Sequence, residues 1–158
     1  MFIFDAHLDL AMNALEWNRD LTKSVYQIRE SEKGMLDKPD RGNNTVSLDA
    51  MRKGNIGICV ATQIAGIKNK INPHGWSSME QAWAQTQGQL SWYKEMEKNG
   101  EMYQIYDLNT LDNQIENWQK ETKKKPIGYI LSLEGADSIV NIDYLEKSYM
   151  LGLRAIGP

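Results

Sequence analysis

The chain has 158 residues, 41% apolar and 25% charged, with a net charge of −3. That is enough for one domain with a packed core and ordinary for a water-soluble globular protein. The slight negative charge argues against a nucleic-acid footprint, and no apolar run approaches the roughly 20 residues of a membrane span.

The opening Met-Phe-Ile-Phe-Asp5 reads as a buried strand, followed at once by His7-Leu-Asp9. Met1 leads almost directly into that strand, as expected of a cytoplasmic chain, or of an exported one whose leader has been removed. Leu10 to about Leu21 has helical composition, with Leu10, Ala14, Leu15 and Trp17 as its apolar candidates, and residues 31–45 are polar and loop-like. Ser47 is placed to cap a short helix that carries Leu48 and Met51 on one face and stops at Gly54. Ile56–Ile64 reads as a second buried strand. It contains Cys59, the only cysteine, which cannot form an internal disulfide and suits a small buried apolar role.

After a loop over residues 65–76, an amphipathic helix is predicted from about Ser78 to Asn99. Ser78 and Gln81 have capping-box spacing, and Met79, Ala82, Trp83, Thr86, Leu90, Tyr93 and Met96 form the inner stripe. A short strand-like run, 102–106, precedes a helix capped near Asn109 or Thr110 with Leu111, Ile115 and Trp118 on one face. Lys123-Lys124-Lys125 reads as that helix's solvated C-terminal end. Pro126 opens a strand over Ile127–Leu133 that ends at Glu134-Gly135. A helix over Asp143–Leu151 stops at Gly152, and Leu153–Ile156 begins a fourth main strand.

Strands alternating with helices predict a parallel sheet. The turn after the first strand holds Ala6-His7-Leu8-Asp9 and lacks the glycines of a dinucleotide-binding turn. A β/α barrel, by contrast, carries its chemistry at the C-terminal ends of its strands, where His7, Asp9 and Glu134 all fall. A complete barrel has eight strands in about 250 residues. The expectation is therefore α/β: the N-terminal half of a TIM-type (β/α)8 barrel, one partial domain over 1–158, truncated in about the fourth strand.

His7 and Asp9, two apart on an extended chain, point to one side. His-x-Asp is common by chance, and a solvated pair is its ordinary meaning. If the first and third main strands share a barrel, however, one imidazole and two carboxylates meet at one rim. That set suits zinc with positions left for water. His74, in Asn-Pro-His-Gly-Trp, is expected to be exposed.

Three blocks resemble the membrane dipeptidase (renal dipeptidase-like) family M19. Asp5-Ala-His7-Leu-Asp9-Leu is similar to the family's Asp-Gly-His-Asn-Asp-Leu opening. Leu48 to Gly57 is similar to the helix leading into its second strand. Leu133-Glu134-Gly135-Ala-Asp137, with the following helix and its Leu-Gly-Leu-Arg ending, is similar to its Glu-Gly-Gly block. Ala6 and Ala136 stand where the family has glycine, and Ala155–Pro158 departs from its threonine-rich fourth strand.

The resemblance implies an amidohydrolase-type barrel with two zinc ions that hydrolyses dipeptides by attack of metal-activated hydroxide on the peptide carbonyl. It implies that His7 and Asp9 bind the first ion and that Glu134, a catalytic residue, bridges both. The second ion's histidines, a catalytic aspartate and a substrate-binding arginine come from later strands absent from this sequence.

Other readings stand beside this one. An inactive fragment with partial metal binding would have two open sheet edges, which a homodimer could cover. An amidohydrolase acting on another amide or lactam is argued against by His-x-Asp, because many of that group carry His-x-His and a modified lysine. A binding module would use Trp76, Trp83, Trp92 and Trp118, of which Trp83 and Trp118 sit on helical apolar stripes and suit packing better.

Overall fold

The computed structural model describes residues 2–120 and 125–157. Five parallel strands form one sheet: β1 (Ile3–Leu8), β2 (Ile56–Ile64), β3 (Met102–Gln104), β4 (Ile127–Glu134) and β5 (Leu153–Gly157). β4 is central. One edge pairs with β2 along its length, from Ile58↔Gly128 to Ile64↔Glu134. The other edge is divided: β3 takes its first residues, Met102↔Ile127 to Gln104↔Tyr129, and β5 takes its last, Leu131↔Leu153 to Glu134↔Gly157. The rim-level order is therefore β1-β2-β4-β5, with β3 wedged in below β5. This is the partial TIM-type barrel, about half a barrel, expected from the alternation.

Among the described residues, six helices accompany the strands: α1 (Leu10–Leu15), α2 (Val25–Ser31), α3 (Leu48–Lys53), α4 (Met79–Lys98), α5 (Leu108–Gln119) and α6 (Ile142–Met150). The core lies between the sheet and its helices. Cys59 and Ala61 of β2 and Tyr129, Leu131 and Leu133 of β4 meet Leu10, Leu48, Met51, Leu90 and Tyr93 there. Tyr93 of α4 joins three elements. Its ring stacks on Tyr129 at 5.1 Å, and its hydroxyl donates to Thr62 O and accepts from Ala11 N.

β2 has the predicted bounds, and α3 has the predicted Ser47 cap and Gly54 stop. Elsewhere the structure corrects the prediction. The first helix ends at Leu15, because Asn18 turns left-handed (φ 52°) and Arg19 N closes the helix onto Asn13 O and Ala14 O. α2, which the sequence did not announce, is set by a full capping box between Ser24 and Gln27.

At α4, Ser78 Oγ accepts from Gln81 N, but the Gln81 side chain accepts from Ser77 N, so the predicted box stays half-formed. Within the stripe, Trp83 is half-buried and lies edge-on to Tyr144. Gln89, outside the predicted stripe, is fully buried and holds both Ile64 N and Ile64 O with its amide. α5 is capped by Asp107 and not by Asn109 or Thr110. Lys123 and Lys124 lie outside the described residues, while Lys125 Nζ donates to Trp118 O in the last turn of α5.

Candidate metal centre

β1 delivers the first donor through an irregularity in its pairing. Asp5 pairs with Cys59 and Leu8 with Ala61, so three residues of β1 run against two of β2. Such a bulge re-aims the side chains beyond it. Leu8 turns to the helix-side core, and His7 turns to the opposite, open face. Asp5 supports the bend by accepting from His7 N at 3.1 Å. Asp9 follows His7 by two residues and forms the N-cap position of α1 without capping it.

The third donor comes from the far end of the sequence. Tyr129, Leu131 and Leu133 face the helices, so Ser132 and Glu134 alternate to the open face. Gly135, at φ 75°, takes the chain out of the strand in a conformation that glycine adopts freely. One level down, Thr62 Oγ1 and Ser132 Oγ lie 3.1 Å apart as paired residues of β2 and β4. Asp137 accepts from Ile67 N at 2.8 Å, tying the turn after Glu134 to the loop after β2.

The donor atoms of His7, Asp9 and Glu134 all lie within 4.8 Å of one another. His7 Nε2 is 3.3 Å from Asp9 Oδ1 and 3.2 Å from Glu134 Oε2. Two donors bound at 2.0–2.1 Å to one tetrahedral zinc sit roughly 3.3 Å apart, so these spacings fit a shared cation. Asp9 Oδ1 sharpens the fit: it is buried and, among the described residues, has no hydrogen-bond partner, only the 3.3 Å approach of His7 Nε2. A buried carboxylate oxygen without a hydrogen bond is costly, and a cation held between it and His7 would offset that cost. The site is open to solvent, with His7 54% and Glu134 47% exposed against 28% for Asp9.

All three sequence-predicted site residues are thus brought together, at the C-terminal rim where they were expected. Sequence reasoning gave no role to Asp5, Asp137, or the Thr62–Ser132 pair. Only Asp5 left a signal, an aspartate two residues before the backbone N–H it accepts from. His74 is exposed, as expected. Trp118 is buried and Trp83 and Trp92 half-buried, with Trp92 edge-on to Tyr93, so three of the four tryptophans pack inward.

The structure is thus half a β/α barrel with a His-Asp-Glu cluster at the rim. No family model matches the sequence, and no curated protein matches it. Solved structures do. A dipeptidase described as a metallopeptidase of family M19 matches with a TM-score of 0.66 at 19% identity, over 100% of this chain and 42% of that one. A metallopeptidase from Rhodobacter sphaeroides, bound to a phosphinate mimic of the dipeptide L-Ala-D-Ala, matches at 0.62 and 17% identity, over 100% and 45%. The probable dipeptidase PvdM from Pseudomonas aeruginosa matches at 0.63 and 14% identity, over 99% and 34%. At these identities the likeness establishes the fold. The chain spans less than half the length of each of these structures.

Proposed function

We propose that this chain carries the first-ion side of a metal-dependent dipeptidase centre, within one partial barrel domain. The observation that carries the reading is the convergence of His7, Asp9 and Glu134 donor atoms within 4.8 Å, with Asp9 Oδ1 buried and without a hydrogen bond among the described residues. The fold neighbours support it, since they are described as metallopeptidases and dipeptidases and one is bound to a dipeptide mimic.

In this reading zinc is held by His7 Nε2 and by one oxygen each of Asp9 and Glu134. When bound, such an ion activates water and polarises an amide carbonyl. The residues of this chain do the rest. The β1 bulge aims His7, α1 begins immediately beyond Asp9 and fixes its backbone, and the Gly135 turn lets Glu134 project from the strand end. In this reading Glu134 would also help to hold a second ion. The substrate is a dipeptide, and hydrolysis needs that ion's further ligands, so the chain by itself is expected to bind metal and to lack peptidase activity.

Metal analysis of the purified chain tests this. About one zinc per chain, lost in His7→Ala and in Glu134→Ala, is the expected result. No zinc uptake by the folded chain, or uptake that survives both substitutions, overturns the assignment.

A further inference from the structure

A second concavity opens beside the metal donors. It holds about 230 Å³ and is lined chiefly by Met12 and Glu16 beyond β1, Ile64 at the end of β2, and Asn72, His74 and Trp76 of the following loop. Ile64 pairs with Glu134, so the wall of the cleft begins one strand spacing, about 4.8 Å, from the Glu134 backbone. The loop is a built structure. Trp76 N donates to Gly66 O, Lys68 N donates to Trp76 O, and Asp137 holds Ile67 N.

Glu16 is fixed in the cleft. Its Oε1 accepts from Gln85 Nε2 at 3.1 Å and from Gln89 Nε2 at 3.5 Å, and Gln89 is itself immobilised against Ile64. Among the described residues none donates to Glu16 Oε2. Among the described residues no lysine or arginine lines the cleft and the glutamate is its one fixed charge, and Trp76 adds a ring 40% exposed. A carboxylate beside an aromatic ring is a grip for a cation.

We propose that this cleft is a subsite for the cationic side chain of a lysine- or arginine-containing peptide, with Glu16 as the specificity-determining residue; this rests on the dipeptidase reading above. Distance selects the side chain. Glu16 is seven residues beyond Asp9 along a helical path, about 10 Å at the helical rise. The α-amino group of a peptide is two bonds from the carbonyl carbon that would sit at the metal donors, whereas a lysine ammonium is six bonds from it and extends farther toward Glu16 at the other end of α1. The volume matches one side chain and is below that of an ordinary small-molecule pocket.

The test is calorimetric titration of the zinc-supplemented chain with L-Lys-L-Ala and L-Ala-L-Lys, each against its norleucine counterpart. Norleucine keeps the methylenes and lacks the ammonium. At least one lysine peptide is expected to bind roughly fivefold tighter than its counterpart, the scale of a partly exposed ion pair. In Glu16→Gln, with folding verified by circular dichroism, the ratio is expected to fall to near one. Equal affinities in both pairs, no binding by any of the four peptides, or a lysine preference that survives Glu16→Gln overturns the subsite. Zinc uptake measured on the same samples separates the two readings. Lysine preference without zinc uptake sinks the metal assignment alone, and zinc uptake without lysine preference sinks the subsite alone.

Discussion

Asp9 Oδ1 and the Glu32 carboxylate are two buried acids with opposite histories. Asp9 Oδ1 has no hydrogen-bond partner among the described residues and lies 3.3 Å from His7 Nε2, so Asp9→Asn is expected to weaken zinc binding by more than the roughly 10- to 100-fold that losing a ligand's supporting partner costs, with little change in fold. Zinc titration followed by calorimetry reads this, and unchanged affinity would remove Asp9 from the ligand set. Glu32 is saturated. Arg19 bonds both its oxygens at 2.7 and 3.2 Å, Arg41 adds 2.9 Å and Gly42 N 2.8 Å. Arg19 foremost, with Gly42 N and Arg41, holds the carboxyl down to about 2 against the burial that opposes it. A carboxyl depressed in the folded state stabilises above its unfolded pKa, and the stabilisation is lost as pH falls through the folded value. The staple across residues 19–42 is therefore expected to hold above about pH 4.5 and to weaken toward pH 2. Glu32→Gln should lower the unfolding free energy by about 3 kcal/mol at neutral pH. It should also flatten the acid dependence, which urea unfolding at pH 7 and pH 3 would show. Cys59 is inert for the opposite reason: burial, with Asp5 nearby, pushes its thiol up to about 12. A thiol reagent at pH 8 should label it only after denaturation. Labelling of the native chain would show that the core opens there.

At the scale of elements, what the sequence disclosed depended on whether a residue's type revealed its burial. β2 and β4 are continuous apolar runs, so their place in a buried parallel sheet was legible, and so was the Glu134 that ends one of them. His7 and Asp9 were legible as a same-side pair, but the bulge that turns them to the open face was not, because it arises from pairing with Cys59 and Ala61. α2 was hidden because it buries a single apolar residue, Ile28. Gln89 and Gln114 carried no sign of burial in the sequence, because as polar residues they are buried only where their amides satisfy backbone groups. Gln114 Nε2 donates to Gly57 O and Pro126 O while its stem packs where a side chain on Gly128 would stand. Gly128→Ala would place its Cβ 2.7 Å from Gln114 Cγ and from Ile105 Cδ1. Overpacking of this kind costs about 1–3 kcal/mol. Thermal unfolding should show that loss, and an unchanged midpoint would mean that α5 can slide away from the strands. The cap of α5 was misplaced by two or three residues because Asp107, Asn109 and Thr110 are all competent cap residues. Only the structure shows Asp107 and Thr110 bonding reciprocally.

At the scale of the molecule, the helix-side core is closed and the rim and outer edge are open. β5 and α6 border a concavity of about 490 Å³ lined by Ile142, Leu145, Tyr149 and Ile156, with Met150 82% exposed beside it. Apolar surface of that kind favours association. Light scattering over a concentration series is expected to show a mass above that of the 18.1 kDa chain. A constant monomer mass would show that the face tolerates water. The three candidate metal donors also bear on how the chain folds. Their ligand atoms meet within 4.8 Å, yet His7 stands on the first strand, Asp9 directly after it and Glu134 on the fourth, with β2 paired between them. Contacts of such high sequence separation form late, because the chain entropy of closing the loop is lost before the contact rewards it. The cluster therefore comes into being only after β1, β2 and β4 have all found one another. Ion capture during refolding should lag behind the appearance of helical signal, which makes the bound metal a clock for completion of the sheet.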